Sequence, residues 1–350
     1  TPTDSSAASD VYKRQVSVVV DENIDRLLKA TSRSFYLSLQ VLPSQIRDQV
    51  GLLYLLARVA DTIADTGEES NLLLSSLEKY RKAVSNESSA IDLGDIASLQ
   101  ADPSESDLLL SVNEVIEAFG RVGSTDRDVM LECLLTIISG QRLDIERFGT
   151  RGSSILSLKN DDEMDDYTYR VAGSVGEFWT RISMSHLVFH GQDPGEMLRL
   201  GIRFGKALQL INILRDIPSD LNIGRCYIPS VRLASLDLKV SDLKSKESME
   251  KFRPLYNEYL DLACEYLDSA GDYISLIPRH HRRLRISCML PVIIGWRTIR
   301  LMRRQNVLDQ DKDVKIDRKQ VVSILLKTRV ASRFSSYESR LMRSERDLAQ

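Results

Sequence analysis

Two pairs of aspartates are the residues of this chain most suited to chemistry. Asp61 and Asp65 lie in LLYLLARVADTIAD, and Asp216 and Asp220 lie in ALQLINILRDIPSD. Residues four apart share one face of a helix, so each pair would place two carboxylates about 6 Å apart along the axis. Such carboxylates repel each other unless a cation lies between them, and Mg²⁺ prefers oxygen ligands. Because Mg²⁺ also binds phosphate oxygens, two facing pairs would suit a diphosphate.

Each pair belongs to a polar stripe on an otherwise apolar helix. Tyr54 and Arg58 fall within about 60° of the first pair, and Gln209 and Asn212 fall within about 80° of the second. A helix that is apolar apart from one stripe is normally buried, so the stripes are predicted to line an internal cleft. On an outer surface the same pairs would be ordinary solvated acids, and the residues alone leave that alternative open.

Two features qualify the placement of these acids. Pro218 lacks an N–H and clashes with the preceding turn, so the second helix is predicted to end or kink between Asp216 and Asp220. A further acidic run, Asp161–Asp166, follows a Gly/Ser-rich loop and precedes a helical stretch. Acids favour the positive end of the helix dipole, so this run is interpreted as a helix start.

Helical periodicity dominates the chain from about residue 21 onward. We predict an all-α fold with one domain over residues 21–345 and a central cavity, preceded by a disordered or foreign extension over residues 1–20. The stretches with apolar residues at three- and four-residue spacing are 50–64, 108–119, 129–148, 171–188, 198–214, 256–273, 284–302 and 321–341. The predicted breaks are 85–106, 150–159 and 230–250.

Composition excludes several classes of function. The 47 basic and 50 acidic residues give a net charge of -3, which offers no reason to expect nucleic acid as a partner. The longest weakly polar stretch, Ile286–Trp296, is too short to cross a bilayer, and Val16–Val20 is too short for a signal peptide. A cytoplasmic protein, soluble or peripheral to a membrane, is therefore expected. No zinc or redox motif joins the four cysteines, which are expected to be buried free thiols: Cys133, Cys226, Cys264 and Cys288.

The segment Arg279–Arg304 is strongly basic. It contains eight arginines, two histidines and no acid around the apolar Ile286–Trp296. One interpretation is a peripheral contact with an anionic membrane surface. The other is a core helix with solvated basic ends.

Four blocks, taken together, resemble the squalene/phytoene synthase family of head-to-head prenyl transferases. They are Thr31–Leu37 (TSRSFYL), Tyr54–Asp65 (YLLARVADTIAD), Tyr167–Gly176 (YTYRVAGSVG) and Leu208–Pro229 (LQLINILRDIPSDLNIGRCYIP). They occur in the family's order and span roughly residues 25–300. The resemblance implies a helical fold of the isoprenoid synthase type.

The resemblance also implies a role for individual residues. Asp61, Asp65, Asp216 and Asp220 would bind Mg²⁺ and, through it, the diphosphates of two prenyl donors. Tyr167 would lie near the reacting carbons, with Tyr169 as the alternative. Residues implied to contact substrate are Ser32, Arg33, Ser34, Phe35, Tyr54, Arg58, Val171, Gly173, Gln209, Asn212, Arg215 and Arg225.

Structural alternatives accompany several of these assignments. The segment Ser32–Ser34 would also suit a helix N-cap with a surface arginine. Arg215 would equally pair with a nearby carboxylate. The small residues near Val171 and Gly173 would equally permit close helix packing, because mid-helix glycine costs about 1 kcal/mol relative to alanine and needs a reason.

The resulting functional hypothesis is Mg²⁺-dependent head-to-head condensation of two prenyl diphosphates through a cyclopropylcarbinyl diphosphate. The motifs look closer to squalene synthases, so two farnesyl diphosphates giving squalene with NADPH is the first expectation. Phytoene or dehydrosqualene formation without reduction is the alternative, and a non-catalytic helical lipid-binding or scaffold protein is the alternative outside enzymes. NADPH would bind outside a Rossmann fold, because no GxGxxG follows a strand. Prenyl chain length and oligomeric state are not specified.

Overall fold

The computed structural model describes residues 19–32, 34–88, 90–149, 155–310 and 314–349. Across these ranges the chain is almost entirely helical, and its β-structure is one pair of two-residue strands. The all-α prediction is therefore confirmed. The predicted extension lies almost wholly outside the described residues, and a single domain over 21–345 stays our proposal.

Helices of the first half carry the first aspartate pair and the elements that surround it. The longest are α3 and α8, which pack against each other. These helices are α1 (Glu22–Ser32), α2 (Ser34–Val41), α3 (Ser44–Asp65), α4 (Ser70–Val84), α5 (Gly94–Ala97), α6 (Pro103–Leu110), α7 (Val112–Gly120) and α8 (Ser124–Phe148).

Helices of the second half carry the second aspartate pair and the C-terminal layer. They are α9 (Asp161–Thr168), α10 (Ser174–His186), α11 (Pro194–Arg215), α12 (Ile217–Asn222), α13 (Ser230–Ala234), α14 (Met249–Leu276), α15 (Arg282–Arg304), α16 (Arg318–Ala331) and α17 (Ser335–Asp347). Short irregular helices and the two strands complete them: a π-helix (Tyr169–Gly173), 3₁₀-helices (Val240–Lys244 and Lys246–Ser248), and the parallel strands β1 (Leu156–Ser157) and β2 (Arg225–Cys226).

The helix α11 is central, and it lies against α10, α14 and the π-helix. Two glycines allow the backbone of α11 to contact the backbones of α10 and the π-helix. A Cβ at Gly176 would lie 1.9 Å from the Gly201 carbonyl oxygen, and a Cβ at Gly205 would lie 2.1 Å from the Ala172 carbonyl oxygen. No side chain fits at these distances, so the sequence uses glycine where backbones touch.

Two predicted helical stretches are divided. Ser111 separates α6 from α7 within 108–119, and residues 332–334 separate α16 from α17 within 321–341. Apolar spacing runs across each break because the helices on both sides bury residues against the same core, so spacing alone does not reveal a short turn. The predicted break 85–106 also contains α5 and the first turn of α6.

The basic segment 279–304 contains a core helix, α15, with exposed arginines at both ends, as one of its two interpretations predicts. A membrane contact through this segment stays a prediction. Most residues of α15 are buried, and Arg285 is only 1% exposed. Arg285 forms an ion pair with Glu338 of α17 and donates to the carbonyl oxygen of Ile274 at 2.5 Å. Arg297 Nε lies 2.9 Å from Glu345, also on α17. These arginines therefore fasten the C-terminal layer to the core.

Hydropathy within the described ranges gives no helix that is both long and apolar enough to span a bilayer. The four cysteines are buried and unpaired, as expected. Burial raises the pKa of the Cys133 thiol to about 12, so this thiol stays protonated at neutral pH.

Candidate active site

The block TSRSF lies against the first aspartate helix. The Tyr54 hydroxyl of α3 donates to the Thr31 carbonyl oxygen at 3.0 Å, and its ring centroid lies 4.9 Å from that of Phe35. Ser32 is buried, and its hydroxyl donates to the Leu28 carbonyl oxygen at 2.5 Å. A phosphate contact by Ser32 would therefore require that hydrogen bond to break.

Four other predicted substrate contacts stay predictions. Arg33 lies outside the described residues, and Ser34 is described only as the first residue of α2. Gln209 and Asn212 are half-buried on α11, within the two turns that precede its C-terminus.

The polar stripe of α3 is held by neighbouring helices. Arg58 forms an ion pair with Glu105 of α6, and Gln141 of α8 donates a hydrogen bond to Asp61. Burial, together with the charge of Asp65, raises the pKa of Asp61 to about 7, although Arg58 and Gln141 oppose the shift. Asp61 therefore occupies a position that favours a neutral acid or a bound cation.

The second stripe is interrupted where the sequence predicts it. Helix α11 ends at Arg215, and α12 begins at Ile217 with Pro218 in its first turn. The Arg215 guanidinium binds the Asp216 carboxylate through Nε at 2.8 Å and Nη2 at 2.5 Å. The alternative in which Arg215 pairs with a neighbouring carboxylate is therefore confirmed. The Asp220 N–H donates to the Asp216 carbonyl oxygen at 3.0 Å, which keeps both acids on one turn.

Arg225 connects the two stripes. It lies in β2, and its Nη1 is 2.8 Å from Asp65 Oδ1 while its Nη2 donates to the Ala64 carbonyl oxygen at 3.0 Å. The pKa of Asp220 is raised to about 7 by burial, by Asp216 and by Asp65, and it is lowered by Arg225. Asp65 and Arg225 therefore both lie near Asp220, which places α12 close to the C-terminal end of α3.

A fifth carboxylate, Asp144 of α8, lies between the stripes. It is 1% exposed, and the Tyr227 hydroxyl donates to its Oδ2 at 2.5 Å. Its Oδ1 has no hydrogen-bond partner among the described residues. Burial raises the pKa of Asp144 to about 6, and its charge in turn raises the pKa values of Asp61 and Asp220. Asp144 is therefore part of the same electrostatic site.

Tyr167 joins this site through Tyr227. Its hydroxyl donates to the Tyr227 hydroxyl at 3.3 Å, and the two rings stack with centroids 4.7 Å apart. The hydroxyl of Tyr169 instead lies 3.2 Å from Glu177. Of the two candidate tyrosines, Tyr167 is therefore the one that is linked to Asp144.

Gln141 and Asp144 were not identified from the sequence, although a feature of it marks them. On a helical wheel both fall on the face of α8 that also carries Ile137 and Phe148. Polar residues on an otherwise apolar face indicate either a buried polar contact or a site. Tyr227 carries no comparable pattern, because it follows a two-residue strand.

Helix packing accounts for the small residues of VAGSVG. A Cβ at Gly140 of α8 would lie 2.9 Å from Val171, and a Cβ at Gly173 would lie 3.1 Å from Lys206 Cγ of α11. Val171 and Gly173 belong to the π-helix Tyr169–Gly173, a geometry that often occurs at functional sites. A prenyl contact by Val171 or Gly173 stays a prediction.

The acidic run Asp161–Asp166 begins α9, as interpreted from the sequence. The Asn160 side chain caps this helix by accepting from the Glu163 N–H at 3.0 Å. Asp161 pairs with Arg232 at 2.9 Å. The run therefore starts a helix outside the aspartate site.

The acids of the site fit a magnesium ion that takes its remaining ligands from water or phosphate. No three carboxylate, cysteine or histidine side chains in the described ranges are arranged as a preformed metal cluster. Mg²⁺, however, often takes only one or two protein carboxylates and completes its shell with water and phosphate oxygens. Burial is the main cause of the raised pKa values of Asp61 and Asp220, and neighbouring acids add to it, so a bound cation would favour the charged forms of both.

The fold is shared with a protein of known structure. Over 93% of this chain and 96% of the other, it matches the structure of the squalene synthase TcSQS in complex with the ligand E5700, with a TM-score of 0.72. The identity is 20%, so this likeness shows the fold, which is the helical isoprenoid synthase fold.

Sequence comparison then assigns the family. Residues 28–320 match the squalene/phytoene synthase family, and the chain belongs to it. It is 28% identical over 215 residues to a presqualene diphosphate synthase of Rhodopseudomonas palustris, covering 61% of this chain and 64% of that protein. It is 29% identical over 254 residues to a bifunctional lycopene cyclase/phytoene synthase of Colletotrichum graminicola, covering 69% of this chain and 40% of that protein. The matched part spans less than two thirds of either relative.

Replacing Asp61 by Asn should stabilise the metal-free protein at alkaline pH. The pKa of Asp61 is raised in the folded state to about 7. Its protonation therefore contributes fully to the free energy of unfolding below about pH 4, and this contribution is lost as the pH rises through 7. Asp61→Asn should therefore raise the Tm at pH 8 by about 2–4 °C, with a smaller gain near pH 5. The measurement is thermal unfolding followed by circular dichroism.

The control is Asp162→Asn, which removes an exposed acid from the start of α9. It should give no gain at either pH. A lower Tm for Asp61→Asn at pH 8 would contradict the view that Asp61 is a buried charge without sufficient compensation.

Proposed function

We propose that this chain catalyses the Mg²⁺-dependent head-to-head condensation of two prenyl diphosphates to a cyclopropylcarbinyl diphosphate. The observation that carries the proposal is the convergence of both aspartate stripes on Asp144 and Arg225. Members of the squalene/phytoene synthase family are prenyltransferases, which supports this reaction class. In the proposed reaction the C1–O bond of one donor breaks, the double bond of the second attacks C1, and proton loss closes the three-membered ring.

The acids and arginines would bind the diphosphates together. Asp61, Asp65, Asp216 and Asp220 would hold Mg²⁺, which when bound supplies positive charge that stabilises a departing diphosphate. Without substrate, Asp65 and Asp216 are paired with the guanidinium groups of neighbouring arginines. A guanidinium binds phosphate oxygens as well as carboxylates, so these arginines would also bind the diphosphate when it enters the site.

Arg58 would act mainly through its charge, which lies close to Asp61. It is held by Glu105, and its charge lowers the pKa of Asp61. We propose that it keeps the first stripe partly neutralised and contacts diphosphate from the α3 side. Its Nε is a buried donor without a hydrogen-bond partner among the described residues.

We propose that Tyr167 lies next to the reacting carbon atoms of the substrates. Because its proton is directed to Tyr227, the lone pairs of its oxygen are left for an electron-poor substrate carbon. Its ring is also fixed, since it stacks on Tyr227 and that hydroxyl is anchored to Asp144. We propose that Asp144 and Tyr227 are positioning residues that set the orientation of Tyr167.

The substrates and the final product form the finer part of the proposal. We propose two farnesyl diphosphates and reduction by NADPH to squalene, because the TSRSF and DTIAD sequences resemble those of squalene synthases. A relative named presqualene diphosphate synthase supports the first half of that reaction. Relatives named phytoene synthase favour the second candidate, which is condensation to phytoene or dehydrosqualene without reduction. A scaffold without catalysis is the third.

Incubation with defined substrates separates these candidates. Purified protein with Mg²⁺, NADPH and farnesyl diphosphate should give squalene, and without NADPH the cyclopropylcarbinyl diphosphate should accumulate. The measurement is mass spectrometry of the extracted products, before and after phosphatase treatment. If product forms from geranylgeranyl diphosphate and not from farnesyl diphosphate, geranylgeranyl diphosphate is the substrate. If neither substrate gives product, the proposed catalysis is contradicted.

Replacing an aspartate of either stripe should abolish turnover without unfolding the protein. Asp61→Asn and Asp216→Asn should each lower kcat by about a thousandfold or more, because each removes a charge needed to hold the diphosphate complex. Circular dichroism should show unchanged helicity. The matched control, Asp162→Asn, lies in the acidic run that starts α9 and should leave turnover unchanged. Undiminished activity of either stripe variant would refute the assignment of the site.

Replacing Tyr227 by Phe tests the positioning of Tyr167. The change removes the acceptor of the Tyr167 hydrogen bond and the donor to Asp144, so kcat should fall about 10- to 100-fold with little change in KM. The matched control is Tyr259→Phe, which removes a similar hydroxyl-to-aspartate bond of 2.6 Å to Asp161 outside the site. Equal losses in both variants would indicate a merely structural role for Tyr227.

A further inference from the structure

Helix α16 exposes a row of aliphatic side chains. Val322, Leu326 and Val330 are 44%, 56% and 49% exposed, and their spacing of four residues places them on one face. The opposite face, which includes Ile324 and Thr328, is buried. Helix α16 packs on α15, so this row is the outer side of the C-terminal layer.

The same outer face is basic. Its cations are Arg318, Lys319, Lys327, Arg329 and, just after the helix, Arg333. The sequence has no acid between residues 318 and 337. Among the described residues none of these five cations takes part in an ion pair, in contrast to the arginines that α15 uses to hold α17.

We infer that this outer face of α16, with the adjoining Phe334, is a docking surface for an anionic lipid bilayer. Phe334 is 60% exposed at the end of the aliphatic row. A helix that carries aliphatic residues between flanking lysines and arginines lies in the interface of a membrane, with the apolar row among the acyl chains and the cations at the lipid headgroups. The inference is independent of the proposed catalytic function.

Charge decides against two other occupants. A second copy of this chain would bring the same five cations against their equivalents, and no acid on the face would offset the repulsion. A nucleic acid would satisfy the cations, but it would leave the aliphatic row against phosphates and sugars. An anionic bilayer matches both the charge and the apolar row.

A tryptophan placed in the row reports the contact directly. Leu326→Trp should shift its emission to shorter wavelength when vesicles containing phosphatidylglycerol are added, and much less with phosphatidylcholine alone. The matched control is Leu110→Trp on α6, because Leu110 is also exposed, at 65%, but lies on another surface. The two native tryptophans, Trp179 and Trp296, are measured in the wild type and subtracted.

Replacing lysines tests the contribution of the basic residues of this surface. Each lysine near an anionic membrane contributes roughly a fivefold gain in binding, so Lys319→Gln/Lys327→Gln should weaken vesicle co-sedimentation roughly 25-fold. The control pair, Lys79→Gln/Lys244→Gln, removes equal charge elsewhere and should leave binding near that of the wild type. Added salt should weaken wild-type binding.

Several results would overturn the inference. They are no emission shift for Leu326→Trp, an equal shift for Leu110→Trp, and equal weakening by the two lysine pairs. Binding of duplex DNA as tightly as anionic vesicles would assign the face to nucleic acid instead. Unchanged helicity of each variant by circular dichroism ensures that these outcomes report the surface and not misfolding.

Discussion

Repulsion between carboxylates gathered in a partly buried site is the interaction on which the rest of this protein depends. Asp61, Asp144 and Asp220 have raised pKa values because burial and neighbouring acids both disfavour their charged forms. Arg225 offsets part of this cost through Asp65. A cation bound at this site would favour the charged forms of these acids, which is the physical basis of the proposed magnesium diphosphate complex.

Holding these charges together requires a rigid surround, and close helix packing supplies it. Gly176 and Gly205 allow α10, α11 and the π-helix to approach to backbone contact. The stacked pair of Tyr167 and Tyr227 is fixed on one side by Asp144. The candidate site residues therefore lie on elements whose positions are set by packing, and the proposed reaction requires such fixed positions.

Basic residues in the C-terminal third serve two different physical roles. Arginines of α15 such as Arg285 and Arg297 are paired with glutamates and hold α17 in place. Among the described residues, the cations on the outer face of α16 form no ion pair, and they surround exposed aliphatic residues. The same residue types are therefore structural in one helix and available for an anionic surface in the next, and the difference lies in where each helix packs.

The sequence by itself determined the helical class, the family and both aspartate stripes, because these depend on local spacing and on motifs that are contiguous in the chain. It also predicted the break at Pro218, which follows from the chemistry of proline. Only the tertiary structure decided that Asp144 lies close enough to Asp61 and Asp220 to raise their pKa values, that Arg225 pairs with Asp65 and that the middle of the segment 279–304 is buried. These facts depend on which residues distant in sequence become neighbours, and periodicity along one helix carries no information about the helix that packs against it.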